Sequence, residues 1–355
     1  MVSLKPKITR RTFLLPVIGL LAFFIYLYIF QVDIPKIIET AQRTDLYVYF
    51  TAILLVPVET FLYTFSWHSL LSFLSVKVSI AKSYLYVWYG VFMDIIIPAE
   101  SISGEISRVY LVTREQSGAS GKVVASLVTH RLIGMSINIA SLILGIGLLL
   151  TEREVGGLIF NLTLFVAVVT TFFLFLLVLL CVKEEWTLKI INAIIVAIER
   201  VSRGRWKLTK IREEANKATR MFHGSMKEFG RAPKTLFISL FFLILTWLSH
   251  LSIAYLVFLS LKFPVQWSIV LVTSSIVLAV KSIPLGVPFE VGLPEITMTT
   301  LYTLLGIPPG ISATATILTR ILTLWLRFFL GFATQQWLEL KAIAASTNAA
   351  ETEKT

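Results

Sequence analysis

Long apolar runs without a single charge are the feature that most constrains this chain. Phe13–Phe30 and Leu158–Val182 contain no Asp, Glu, Lys or Arg. About 20 apolar residues match the roughly 30 Å hydrocarbon core of a bilayer. Inside that core only helices and closed barrels satisfy their own backbone hydrogen bonds. Only 15% of all residues are charged, against about 25% in soluble domains. The sequence therefore predicts an all-α polytopic membrane protein.

Six segments are predicted to span the membrane. The first, Phe13–Phe30, follows a basic N-terminus, and QVDIPK after it lacks the small residues of a signal-peptide cleavage site. We therefore interpret it as a retained anchor that starts in the cytoplasm. The other five predicted spans are Leu46–Leu74, Lys122–Leu150, Leu158–Val182, Leu236–Leu261 and Ile311–Leu338. Together they predict one transmembrane domain over residues 1–345, followed by a disordered tail at 346–355.

Two stretches of the chain repeat the same order of residues, and such a repeat indicates duplicated architecture. Each has a short apolar segment, a proline-containing elbow, a second short segment and a long apolar helix with an arginine inside it. The first contains Pro98, Glu100, Glu105 and Arg131. The second contains Pro288, Glu290, Glu295 and Arg320, with a single-residue slip before the arginine.

The orientation of the two repeats follows from counting crossings. The segment Lys183–Lys234 holds thirteen Lys or Arg against six Glu, so we place this amphipathic helical loop in the cytoplasm. Four full spans precede it. The first short pair, Tyr84–Ile97 and Glu105–Gln116, must then enter and leave on the cytoplasmic side, and the second pair on the outer side. The sequence thus predicts two inverted re-entrant helical hairpins, an arrangement typical of transport sites near the midplane.

The two elbows resemble the signatures of a known family. PAESISGEISRVYLV followed by THRLIG, and PLGVPFEVGLPEITMTTLYTLLGI followed by LTRILTLWLRF, are similar to those of the flippase-like integral membrane family. That family includes the membrane part of lysylphosphatidylglycerol synthases, and the resemblance extends from about Thr12 to Leu340. It implies a lipid-translocation module. We expect this protein to be without the soluble aminoacyl-transferase domain of the synthases and the glycosyltransferase domain of some relatives. It has Val287 and Pro294 where the family resemblance leads us to expect glycine.

The strongest site candidates are two arginines and two glutamates. Arg131 and Arg320 lie about 15 Å and 13 Å into their helices at 1.5 Å per residue, a costly place for a charge. Either they clamp a lipid phosphate bidentately or they form structural ion pairs with Glu105 and Glu295. Both glutamates begin a half-helix, where the dipole favours an anion. They are therefore helix caps or members of the site.

Weaker candidates complete the predicted headgroup-binding set: Glu100, Glu290, Ser101, Ser103 and Glu59. The two serines offer donors to an anion, although ordinary turn chemistry explains them equally well. Glu59, in mid-span beside Pro57, is expected to be protonated, to partner an arginine or to act in proton coupling. The histidines of the spans are expected to make packing hydrogen bonds rather than to bind metal.

The function predicted from these features is translocation of a polar, anionic phospholipid or related lipid through a polar cavity between the hairpins. No nucleotide-binding loop or zinc motif occurs, so no catalytic residue, metal or cofactor is predicted. The alternatives left open are a membrane-embedded transferase and an accessory subunit of a separate lipid-modifying or glycosyl transferase. Membrane phospholipids are the expected partners, homo-oligomers are left open, and nucleic acid is not expected. We expect a multi-pass cell-membrane protein with both termini in the cytoplasm.

Overall fold

The protein is helical throughout the residues that its structure, a computed structural model, describes. These are residues 44–97, 102–152, 156–201, 209–281 and 292–352, together with Pro35, Glu39 and Gln42. The helices are α1 (Leu46–Phe73), α2 (Ile80–Ile96), α3 (Ile102–Glu115), α4 (Ser120–Glu152), α5 (Gly157–Val182), α6 (Glu184–Val201), α7 (Thr209–Phe229), α8 (Pro233–Ser260), α9 (Trp267–Lys281), α10 (Leu293–Leu304), α11 (Pro309–Arg320) and α12 (Arg327–Thr352). The predicted all-α class is confirmed.

Among the described residues, five helices are long and apolar enough to cross a membrane. They are α1, α4, α5, α8 and the continuous helix Pro309–Lys341, which joins α11 to α12 through a π-helical turn. These five coincide with five of the six predicted spans. The remaining prediction, Phe13–Phe30, lies outside the described residues.

Four shorter helices occupy the positions predicted for the two hairpins. α2 has 17 residues, α3 has 14, α9 has 15 and α10 has 12. At 1.5 Å per residue these helices measure between about 18 and 26 Å, which is less than the hydrocarbon core. The elbows, residues 98–101 and 282–291, are outside the described residues, and so are Glu100, Ser101 and Glu290. It stays a prediction that each pair of short helices enters and leaves the membrane on the same side.

The repeat extends to the turns that follow the short helices. Gly118, between α3 and α4, has φ +82°, and Gly306, between α10 and α11, has φ +87°. Both turns thus use a left-handed residue that favours glycine. Arg131 follows the first residue of α4 at the same interval as Arg320 follows the first residue of α11. The single-residue slip therefore falls before the long helices and leaves the position of each arginine in its helix unchanged.

The chain divides into two compact units whose boundaries fall inside helices. We call residues Pro57–Val87 and Glu105–His250 the central unit, and the residues up to Val56, Trp88–Gly104 and Leu251–Thr355 the C-terminal unit. The central unit contains Glu105 and Arg131, and the C-terminal unit contains Glu295 and Arg320. α12 is helical as far as Thr352, whereas the sequence indicated a disordered tail from residue 346.

In the central unit, the amphipathic helix of the basic loop packs against the start of α4. A Cβ at Gly121 of α4 would lie 2.4 Å from the backbone oxygen of Ala218 in α7, so the two backbones are in close contact. Phe222 and Phe229 of α7 are buried, while Ile211 is 54% exposed. The apolar face of α7 is therefore covered in its C-terminal half, whereas its first turn is open.

In the C-terminal unit, α2 packs against the end of the last span. Phe92, Ile95 and Ile96 form a buried cluster with Leu324 and Phe328. Leu324 belongs to the π-helical turn Ile321–Leu326, which starts directly after Arg320. Such turns widen a helix locally and often occur at functional sites. The cluster fixes the helix that carries Arg320 against α2.

Candidate functional site

In the central unit, the glutamate and the arginine of the first repeat meet in a loose and accessible ion pair. Glu105 lies in the first turn of α3 and Arg131 lies inside α4. The Arg131 Nε atom is 3.5 Å from Glu105 Oε1, and the side chains are 26% and 22% exposed. Charge-assisted hydrogen bonds of this type normally measure about 2.7–2.9 Å. The Arg131 guanidinium and the Glu105 carboxylate attract each other without a tight hydrogen bond. Because both side chains are partly exposed, a polar group of another molecule can reach them.

In the C-terminal unit, the equivalent pair of the second repeat is tight and buried. Arg320 Nε donates to Glu295 Oε1 at 2.5 Å, and the side chains are 5% and 1% exposed. The other carboxylate oxygen, Oε2, accepts the backbone N–H of Gly292 at 2.7 Å. Gly292 has φ +105°, a conformation that favours glycine. Glu295 therefore caps α10 and holds Arg320 at the same time.

Asp94, near the end of α2, binds the start of α3. Its Oδ1 atom accepts the backbone N–H of Gly104 at 2.6 Å and the Ser103 hydroxyl at 2.9 Å. The same hydroxyl lies 3.1 Å from the carbonyl oxygen of Ile97. A Cβ at Gly104 would be only 2.5 Å from the carbonyl oxygen of Gly90. Ser103 thus makes local hydrogen bonds between the end of α2 and the start of α3, and a role in binding a headgroup stays a prediction.

Glu59 is buried in α1 and has a histidine as its partner. His250 Nδ1 of α8 lies 3.3 Å from Glu59 Oε1. The indole of Trp247 stacks on the His250 ring with centroids 5.6 Å apart, and its Nε1 donates to the Ser141 hydroxyl. The sequence left protonation, an arginine partner and proton coupling open for Glu59, and it indicated His250 only as a packing residue. Nothing in the spacing of the sequence relates these two distant positions.

The structure also identifies a buried arginine that the predicted site did not include. Arg108, on α3, is 4% exposed. Its Nη1 donates to the Tyr63 hydroxyl at 3.2 Å, and its guanidinium lies over the rings of Tyr63 and Trp67 at 5.7 and 5.4 Å. Arg108 could have been predicted from the sequence, because it lies one helical turn after Glu105 in a predicted membrane segment. A charged residue in such a segment indicates function by default.

The predicted site residues therefore meet within each unit as one glutamate–arginine pair. Glu105 and Arg131 meet in the central unit, and Glu295 and Arg320 meet in the C-terminal unit. Glu59 belongs to its own pair with His250. Ion pairing, one of the two roles that the sequence left open for the arginines, is thus present in both repeats. Their role in binding a headgroup stays a prediction.

Comparison with known proteins matches almost the whole chain to one family. The family described as the lysylphosphatidylglycerol synthase TM region matches residues 14–331. The chain is 21% identical to the UPF0104 membrane protein PH1989 of Pyrococcus horikoshii, over 90% of this chain and 95% of that protein. It is 23% identical to the UPF0104 membrane protein MJ1595 of Methanocaldococcus jannaschii, over 93% and 95%. No solved structure matches. Because the family match covers both repeats and the spans between them, this chain belongs to the family of the lysylphosphatidylglycerol synthase TM region.

Proposed function

We propose that this protein moves a polar, anionic phospholipid or related lipid between the two leaflets of the membrane. The family is named after a membrane region of synthases of a phospholipid, which supports a phospholipid as the substrate class. In this proposal the protein lies in the cell membrane as a multi-pass protein, and both of its termini are cytoplasmic. It performs no bond chemistry of its own, and any lipid-modifying or glycosyl transferase acts as a separate partner.

The observation that carries the proposal is the contrast between the two glutamate–arginine pairs. One pair is accessible and held at 3.5 Å, whereas the other is buried and held at 2.5 Å. A protein that exposes a polar site to each leaflet in turn needs its two repeats in different states. In many transporters, repeats of inverted orientation take up such different states around a fixed binding site. The contrast supports alternation between the first and the second repeat.

In the proposed mechanism, a headgroup phosphate replaces a carboxylate. The guanidinium of Arg131 binds carboxylate and phosphate with the same fork of donors. A phosphate that reaches this guanidinium displaces Glu105, and the acyl tails stay in the lipid. Glu105 then restores the pair when the lipid leaves, so the arginine is never left unpaired in a medium where an unpaired charge is costly. Glu100, Glu290, Ser101 and Ser103 remain proposed elbow contacts.

The test is transbilayer lipid movement in proteoliposomes. Labelled lipids of different headgroup charge are incorporated, and a membrane-impermeant quencher reports the fraction that reaches the outer leaflet. We expect the wild type to accelerate exchange of anionic phospholipids, and Arg131→Ala, Glu105→Gln and Arg320→Ala to lose the acceleration. Each variant is first checked for a monodisperse fold in detergent.

Arg212→Ala is the matched control. Arg212 pairs with Glu199 at 3.0 Å between the cytoplasmic helices α7 and α6, with side chains 38% and 29% exposed. Its removal breaks an accessible ion pair outside the proposed path, and exchange should stay at the wild-type rate. Well-folded wild-type protein that accelerates no lipid class would refute translocation. It would favour the transferase, detected by product lipids, or the accessory subunit, detected by a copurifying enzyme.

A further inference from the structure

Two polar stripes meet between α10 and α11 in the C-terminal unit. Each stripe has the spacing i, i+4, i+7, which puts three side chains on one face of a helix. The stripe of α10 consists of Glu295, Thr299 and Tyr302. The stripe of α11 consists of Ser312, Thr316 and Thr319. We call these six residues the polar seam.

Two hydrogen bonds join the stripes. Arg320 Nε donates to Glu295 Oε1 at 2.5 Å, and one turn further along both helices Thr299 Oγ1 donates to Thr316 Oγ1 at 3.1 Å. Residue numbers rise along α10 and fall along α11 from one bond to the next, so the two helices are antiparallel. Their polar faces are therefore in contact with each other.

The polar seam continues toward the Gly306 turn that connects the two helices. Tyr302 and Ser312 lie about one turn beyond the bond between the two threonines, and both are completely buried. At 1.5 Å per residue, the seam extends about 10 Å along α10 from Glu295 to Tyr302. A row of polar side chains thus leads from the buried ion pair to the end of the second repeat where the chain turns.

Two hydroxyls of the polar seam have no hydrogen-bond partner. Tyr302 Oη and Thr319 Oγ1 are buried and make no hydrogen bond within the part of the chain that the structure describes. Leaving a buried hydroxyl unpaired is unfavourable, and such atoms are rare in folded proteins. A hydroxyl both donates and accepts. Each of these two can therefore bind an oxygen atom of a ligand.

Hydroxyl side chains between membrane helices often serve only to hold the helices together. Serine and threonine commonly form hydrogen bonds across helices for this reason, and the bond between Thr299 and Thr316 is of that kind. Packing of this type does not account for Tyr302 and Thr319, because a hydroxyl that joins two helices has its partner there. The two unpaired hydroxyls indicate a binding role in addition to packing.

The first repeat has apolar residues at the equivalent positions. With Glu105 aligned on Glu295 and Arg131 aligned on Arg320, four hydroxyl positions correspond to aliphatic residues. The equivalent pairs are Thr299 and Val109, Tyr302 and Val112, Ser312 and Val123, and Thr316 and Leu127. Thr319 corresponds to His130. The fold of the repeat therefore does not require hydroxyls at these four positions.

We propose that the polar seam is the half of the headgroup path that leads from the Glu295–Arg320 pair to the side of the Gly306 turn. This inference rests on the proposed function and names the part of the second repeat that opens. When α10 separates from α11, the hydroxyls of the seam bind the hydroxyl and phosphate oxygens of a headgroup in succession. The ligand class is a phospholipid whose headgroup carries free hydroxyls. The count of crossings predicts that this side is external.

The experiment measures the reactivity of single cysteines in a full-length chain that carries Cys181→Ala. Thr316→Cys and Thr299→Cys place a thiol in the polar seam. Leu127→Cys is the matched control, because Leu127 is equivalent to Thr316 and both are buried. Leu304→Cys, at a position 49% exposed, confirms that the reagent works. A charged methanethiosulfonate is added on both sides of proteoliposomes, and intact mass counts the modified protein.

We expect the reagent to modify Thr316→Cys and Thr299→Cys but not Leu127→Cys, because only the seam of the second repeat opens to water. Short-chain phosphatidylglycerol, the ligand probe, should slow this modification more than short-chain phosphatidylcholine, whose headgroup has no hydroxyl. Adding Tyr302→Phe should raise the phosphatidylglycerol concentration for half-protection roughly 2- to 10-fold, because one neutral hydrogen bond is lost. A hydroxyl with only a structural role would leave that concentration unchanged.

Three results would overturn the proposed path. They are seam cysteines as unreactive as Leu127→Cys in folded protein, equal protection by phosphatidylcholine, and unchanged protection in Tyr302→Phe. Failure of the proposed function is recognised separately, since the wild type then accelerates no lipid exchange in proteoliposomes. Lipid movement with an unreactive seam would keep translocation and reject the path. A reactive, phosphatidylglycerol-protected seam without lipid movement would keep a binding site and reject translocation.

Discussion

At the scale of residues, the two ion pairs have the same chemistry but different surroundings. Glu295 and Arg320 are almost fully buried, whereas about a quarter of Glu105 and Arg131 is exposed. Removing one partner of a buried pair leaves an uncompensated charge, which costs about 3–5 kcal/mol. An exposed pair is worth about 0–1 kcal/mol. The two arginines should therefore contribute very differently to stability.

We predict that Arg320→Ala lowers the free energy of unfolding by about 3–5 kcal/mol, and that Arg131→Ala lowers it by less than about 1 kcal/mol. Denaturant unfolding in mixed micelles, followed by tryptophan fluorescence, measures both. The double variant Glu295→Gln/Arg320→Met should recover much of the loss, because it removes the charge left behind. Equal losses in the two arginine variants would contradict the difference in burial.

Some residues of the candidate site could be predicted from the sequence, whereas their burial and their partners on other helices could not. The order and spacing of Glu105, Arg131 and their repeat partners predicted the candidates, because a helix places charges at depths that can be counted. Spacing contains no information about burial, which depends on packing by distant segments. The pairing of Glu59 with His250 and the contact of Arg108 with Tyr63 join residues on different helices. A periodic pattern describes one helix at a time and cannot relate such positions.

At the scale of elements, close backbone contacts fix the start of α3 against α2 and fix α7 against α4. Two glycines, Gly104 and Gly121, lie where a Cβ would meet a backbone oxygen at 2.5 and 2.4 Å. Two other glycines in helices, Gly147 and Gly224, have nothing within 4 Å of a built Cβ. The chain thus contains matched positions at which the same substitution should have opposite effects.

We predict that Gly104→Ala destabilises the protein by about 1–3 kcal/mol, the usual range for overpacking. The added methyl separates α3 from α2 and disturbs the bond from the Gly104 N–H to Asp94. Gly147→Ala, in α4, should be neutral or stabilising by up to about 1 kcal/mol, since alanine favours helices. Thermal unfolding in one detergent compares the two. A Gly104→Ala protein as stable as Gly147→Ala would mean that α2 and α3 do not pack this closely.

We predict that Gly121→Ala loosens α7 from α4, because the methyl would meet the backbone of Ala218 and the Cβ of Met221. Hydrogen exchange of the α7 amides should become faster, while exchange in α5 changes little. Gly224→Ala, on α7 itself, is the control and should leave α7 as protected as in the wild type. Unchanged protection in Gly121→Ala would show that the amphipathic helix is held by contacts other than this crossing.

At the scale of the whole molecule, the helices and their order were predictable, and the path of the elbows was not. Hydrophobic length and the absence of charge identify a span such as α5 with little ambiguity. The short helices α2 and α10 were recognised because prolines and glutamates interrupt an apolar pattern. The structure gives these helices lengths below the membrane thickness. Orientation still rests on the distribution of basic residues, which only an experiment in membranes can test.

We predict that Ser117, after the first pair of short helices, and Lys217, in α7, face the cytoplasm. Gln266, before the second pair, and Leu304, at its end, should face the outside. In a chain without its single cysteine, Cys181, new cysteines at Ser117 and Lys217 should react with an impermeant maleimide only after cells are permeabilised. Cysteines at Gln266 and Leu304 should react in intact cells. These four positions are exposed. Labelling of Ser117→Cys from outside would refute the inverted orientation of the repeats.

The buried Glu295–Arg320 bond has a consequence for timing. If the second repeat must open once in every transport cycle, the free energy needed to expose this pair becomes part of the barrier. Each additional 1.4 kcal/mol, roughly, in that free energy slows the opening step about tenfold. Opening of the second repeat would then be the rate-limiting step of the cycle. The looser first repeat would exchange lipid many times before each turnover.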